Sequence, residues 1–78
     1  MTWMTLNRQR SYYEWGLEEL AKRMDDRCEV GYDQYDVICE FIHDMERLAC
    51  LNPINSIKFS CAADAGKYVL ESKIPHYI

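Results

Sequence analysis

A chain of 78 residues, 49% of them hydrophobic and 28% charged, with a formal net charge of -4, has the composition of one compact domain and not of a disordered segment. A domain of this size hides only about 60% of the surface its unfolded chain exposes, which leaves a small core and little room for a deep substrate pocket. The longest apolar run, Leu48-Ala49-Cys50-Leu51, is far short of the roughly 18 residues of a membrane span, and no basic stretch leads an apolar one, so the expected location is the cytoplasm.

The first helix is expected over about Tyr12 to Arg27. Ser11-Tyr12-Tyr13-Glu14 has the S-x-x-E form of a capping box, in which hydroxyl and carboxylate satisfy two free amides at a helix start. Tyr13, Leu17, Leu20 and Met24 recur at helical spacing and form its core stripe. Glu18 with Lys22 and Glu19 with Arg23 are favourable i,i+4 pairs. Ahead of it, Thr2-Trp3-Met4-Thr5-Leu6 fits either a short strand or an extra helical turn.

Gly31 offers a left-handed stop, and Asp33 is placed to cap a second helix reaching about Cys50. Its stripe, Ile38, Phe41, Met45 and Leu48, is widened by Val37, Ile42 and Ala49, which makes it the central element. Asn52-Pro53 ends that helix and can start the next, with Asn52 as N-cap and proline in the first turn.

The last third carries two patterns. Ile57 to Cys61 alternates like a strand, with Lys67 to Ile74 as a hairpin partner. Ile54, Ile57, Cys61, Ala65 and Tyr68 match helical spacing, and the alanines around Asp64 favour helix, with a break near Ser60. Pro75 leaves His76-Tyr77-Ile78 as a tail. The expected fold is thus a single all-α domain over residues 1–78, three helices around Tyr13, Leu17, Leu20, Met24, Ile38, Phe41, Met45, Leu48, Ile57 and Val69. The alternative is α+β, two helices with a C-terminal hairpin.

Cys28, Cys39, Cys50 and Cys61 do not read as a secreted disulfide framework, because the glycine- and proline-rich loops of such scaffolds are missing. Cys39 and Cys50 lie on one helix about 16 Å apart and cannot bridge each other. All four are expected to be reduced and mostly buried. Cys39 and His43, at i and i+4, could offer two metal ligands, with Cys50 or Glu46 further along, but a closed structural site needs four ligands and no C-x-x-C pair is present. No metal or other cofactor is therefore expected.

Catalysis finds no support in the motifs. The only histidines are His43 and His76, the three glycines are scattered, and no phosphate-cradling loop or nucleophile elbow occurs. The expectation is a protein without enzymatic activity.

Charge is distributed unevenly. Residues 1–13 carry Arg8 and Arg10 and no acid, residues 14–46 carry eleven acids against three bases, and residues 47–78 carry four bases and two acids. The acidic middle repels phosphate, so direct nucleic-acid binding is disfavoured and a basic protein partner is favoured. Asp33, Asp36, Glu40 and Asp44 share one face of the second helix, and Glu14, Glu18 and Asp25 share one face of the first. The helix dipole accounts for Asp33 and Asp36, but Glu40 and Asp44 lie beyond its reach. They are either a solvated face or a docking surface. Tyr12 and Trp15 fall off the core stripe and are candidate interface anchors, while Trp3 lies outside any stripe.

These features point to a non-catalytic interaction module whose partner-binding residues are Tyr12, Trp15, Glu14, Glu18, Asp33, Asp36, Glu40 and Asp44. The leading expectation is a small inhibitor that occludes a basic, nucleic-acid-handling site on a larger protein, in the manner of phage and mobile-element proteins. The alternative is a structural or assembly subunit that buries its Cys39 and Trp15 surfaces against a second copy.

Overall fold

The structure, a computed structural model, describes the backbone of residues 3–73 and the side chains of residues 8–72. It is all-α: α1 spans Trp3–Glu29, α2 Gln34–Leu51 and α3 Ser56–Lys73, with one 3-10 turn at Pro53–Asn55 before α3. No strand occurs among the described residues, and no helix is long and apolar enough to cross a membrane.

Helix α1 begins well before the expected start. Nothing between Trp3 and Arg10 is glycine or proline, so no residue there stops the helix from extending. Ser11 therefore lies mid-helix and the S-x-x-E motif is not a capping box; Glu14 instead accepts from Arg10 Nε at 3.3 Å. The strand option for residues 3–6 is excluded, whereas Thr2, the Trp3 side chain and the tail from Ile74 to Ile78 lie outside the described residues.

Gly31 ends α1 as expected. It has φ +98°, its N–H donates to Cys28 O, and Tyr32 N–H donates to Arg27 O, the two bonds of a Schellman motif. Asp33 then caps α2, its side chain accepting from Tyr35 N–H at 2.8 Å. At the other end of α2 the side chain of Asn52 turns back to donate to Leu48 O at 3.0 Å. Asn52 therefore closes α2 and gives no side-chain cap to the following turn, a correction to the reading from sequence.

The core is centred on Leu20, Val37, Ile38, Phe41, Ile42 and Met45, with Ala62, Ala63 and Ala65. Helix α2 supplies the large side chains and α3 the small ones. Through the Pro53 turn and α3 the expected stripe was phased wrongly at Ile54, Ile57 and Tyr68, while its Ala65 is buried. Ile54, Ile57 and Tyr68 are 96%, 60% and 62% exposed, while the buried face is Ala62, Ala63, Ala65 and Gly66, flanked by half-buried Phe59, Val69 and Leu70. Ile57 is thus not a core residue. Small residues are buried there because the neighbouring helices come too close for large ones: a Cβ on Gly16 of α1 would lie 2.6 Å from Ala62 Cα, and one on Gly66 would lie 2.8 Å from Ile42 Cγ1. No break occurs near Ser60, since α3 runs through it without interruption.

Candidate functional site

Where α1 meets α2, charged side chains form the seam. Arg23 Nη1 lies 2.9 Å from Asp44 Oδ2 and its guanidinium stacks 5.2 Å from the centre of the Phe41 ring. Arg47, one turn along α2, reaches the other oxygen of Asp44 at 3.3 Å. One helical turn further along α1, Arg27 Nη1 contacts both carboxylate oxygens of Glu40, at 3.0 and 3.1 Å. Glu40 and Asp44, the two acids that the helix dipole could not explain, are therefore held by arginines of the same chain. Arg23 reaches across to α2 instead of pairing with Glu19, which contacts Lys22 at 3.5 Å. The expected Glu18–Lys22 and Glu19–Arg23 pairs are not formed.

The remaining acids of this end face solvent. Asp25, Asp26, Glu29 and Asp36 are exposed and make no ion pair among the described residues. Asp25 lines an open cleft of about 430 Å³ together with Met24, Cys28, Tyr32 and Gln34, and Asp26, Glu29 and Asp36 are close to those lining residues along the chain. The apolar surface of the cleft is supplied by Met24 and Tyr32, the latter 56% exposed and in contact with the Arg27 guanidinium at 6.0 Å from the ring centre. Sequence periodicity placed neither Met24 nor Tyr32 at a site, because the cleft is made by the Gly31 turn folding Tyr32 back over α1.

The aromatics singled out on α1 have separate environments. Trp15 is half-buried, edge-on to Phe59 of α3 at 6.2 Å, and covered by Lys58 Nζ at 4.3 Å from its ring centre. Its phase off the stripe of α1 is real, but α3 rather than solvent lies on that side. Tyr12, also half-buried, lines a shallow recess of about 210 Å³ with Arg8, Gln9, Ile54, Asn55, Ile57 and Lys58. Leu51, 69% exposed, ends α2 two residues ahead of the Pro53 turn. Glu14 and Glu18 are exposed on α1, and Glu14 is paired with Arg10.

The structure thus divides five of the eight predicted residues among three places, with Trp15 set against Phe59 of α3 and Glu14 and Glu18 exposed on α1. Asp33 and Asp36 belong to the acidic end, Glu40 and Asp44 to the α1–α2 seam, and Tyr12 to the recess it shares with Ile54 and Ile57. Cys28, Cys39 and Cys50 are exposed and Cys61 is half-buried, which corrects the expectation that the thiols are mostly buried. Burial first and the nearby Asp64 second push the Cys61 thiol above its ordinary 9.0. Burial, then Tyr68 and Asp64, raise Tyr13 above 10.0. Among the described residues no group of three or more histidine, cysteine or acidic side chains could hold a metal ion. Comparison with protein-family models, with curated proteins and with solved structures gave no match.

Proposed function

We propose that this chain is a non-catalytic protein-binding module that covers a basic, nucleic-acid-handling surface of a larger protein. One observation carries the reading: Asp25, exposed and without an ion pair among the described residues, lines a cleft whose apolar surface comes from Met24 and Tyr32, and Asp26, Glu29 and Asp36, close to the lining residues along the chain, are likewise exposed and unpaired. Carboxylates without internal partners attract a basic surface at long range, and an adjacent aromatic and thioether surface supplies contact area once water is expelled. Occlusion by a small acidic domain needs no chemistry of its own, which suits a fold with no buried polar or charged side chain among the described residues. The resemblance to phage and mobile-element inhibitors is one of size and charge.

The test is capture from lysate followed by binding kinetics. A larger partner with a basic surface should be retained, and its association should slow as salt rises. Asp25→Asn with Asp36→Asn should slow association further while leaving the helices intact. Retention of no such partner, or an association rate indifferent to salt and to both substitutions, would reject the proposal.

A second reading is favoured by a different observation, the exposed side chains of Leu51, Ile54 and Ile57. Ile54 and Ile57 line one recess, and exposed apolar side chains gathered in this way mark contact with another protein. This supports an assembly subunit that pairs with its own copy through these residues. Sedimentation of wild type against Ile54→Asp separates the two, since only self-assembly predicts a concentration-dependent mass that the aspartate removes.

A further inference from the structure

The outward face of α2 carries an arrangement that neither reading uses. Cys39 and His43 are both exposed, one helical turn apart, and neither makes an ion pair or hydrogen bond to another described residue. Side chains at i and i+4 stand about 5–6 Å apart at Cβ, the spacing by which helical ligand pairs grip one zinc ion. Thiolate and imidazole are the preferred zinc donors, at about 2.3 and 2.0 Å.

A single chain cannot close such a site. Cys50 is on the same face but about 10 Å along the axis from His43, beyond reach of an ion held by Cys39 and His43. Glu46, one turn past His43, lies 3.8 Å from Lys67 Nζ. Two donors are present where a tetrahedral structural site takes four.

We propose that Cys39 and His43 are half of a zinc site that a second copy of this chain completes, one ion joining two α2 helices as Cys₂His₂. Two-fold association brings the same residue pair from each copy to the axis, so four donors converge without any other residue. On binding, each Cys39 thiol loses its proton to solvent and the two thiolates neutralise the ion. The neutral centre adds no positive charge beside Asp36, whose exposed carboxylate favours approach of the cation. The folded core is apolar and complete without the ion, so zinc here controls assembly and not folding.

Sedimentation of the chelator-stripped chain, kept reduced by a phosphine, against added zinc chloride tests this. Zinc should double the mass of the stripped species at one ion per two chains. Cys39→Ser and His43→Ala should each abolish the doubling with an unchanged circular dichroism spectrum, and Cys50→Ser should retain it. Cobalt(II) should give tetrahedral d–d bands with thiolate charge transfer in wild type and lose both in Cys39→Ser. Zinc uptake with no change in mass, doubling that survives either ligand substitution, or doubling lost in Cys50→Ser would overturn the proposal. Because neither Cys39 nor His43 lines the acidic cleft, failure of the zinc site would leave the binding reading standing.

Discussion

Helix α1 is held to its two neighbours by opposite means. Against α3 it comes close at backbone level, Gly16 over Ala62, so tightly that a methyl group at Gly16 would meet the facing Cα at 2.6 Å. Against α2 it stands off and reaches across with Arg23 and Arg27 to Asp44 and Glu40. The first junction is steric and insensitive to solvent; the second is electrostatic, half-exposed and screened by salt. Close packing sets where α1 crosses, and the arginines trim how its C-terminal half lies along α2.

Substitutions can break that contrast. The largest effect is expected at Gly16→Val, where the added branches meet backbone that cannot swing aside; about 3 kcal/mol should be lost, measured by urea unfolding. Such a loss is a large share of the stability of so small a domain. Next is Arg23→Ala, which removes the ion pair with Asp44 and the contact over Phe41. Both ion-pair side chains are about one-third exposed (31% and 30%), so about 1–2 kcal/mol is expected. Gly66→Ala should cost about 1 kcal/mol, because the methyl group would meet buried Ile42 Cγ1 at 2.8 Å and the Phe41 ring at 3.1 Å, an overpacking that the better helix propensity of alanine offsets only in part. At the more exposed Arg27–Glu40 pair, Glu40→Gln should change stability by at most about 1 kcal/mol, and high salt should erase the difference. A Gly16→Val loss that vanished with salt would reverse the assignment of the two junctions.

Alkaline titration gives the smallest expected signal. Tyr13 and Cys61 hold their protons more tightly in the folded chain than at their ordinary values of 10.0 and 9.0. Above those values the unfolded chain loses its protons first, so stability should be flat below about pH 9 and fall as pH rises through both groups. Cys61→Ala should remove the lower part of that fall in melting curves taken at successive pH values.

Helix α2 was legible in the sequence because its face is made of large aliphatics at 3.6-residue spacing, and its ends because Gly31 and Asp33 have one obvious use each. Helix α3 was legible as a helix but not in phase. Ile57 and Tyr68 point outward, and the buried centre of its contact face is alanine and glycine with Phe59, Val69 and Leu70 at the flanks; periodicity weighs such small residues least. The acidic row on α2 was visible too, yet its meaning depended on which residues of α1 came opposite. Arg23 and Arg27 had nearer acids in sequence, and only the antiparallel pass of α1 along α2 brings them to Asp44 and Glu40. Tyr32 escaped notice because a turn, not a repeat, places it.

The two glycines also act as register marks. Among the described residues the core holds no buried polar side chain whose hydrogen bonds would be lost if α3 slid along its axis, so buried directional bonding does not index that helix. Shape does so instead. A slide of about one turn in one direction would set Lys58 where Ala62 now lies beneath Gly16, and in the other would drive Leu70 into the space that Gly66 leaves for Phe41 and Ile42. Each notch admits one helix position, and the smallest side chains in the molecule thereby fix its alignment.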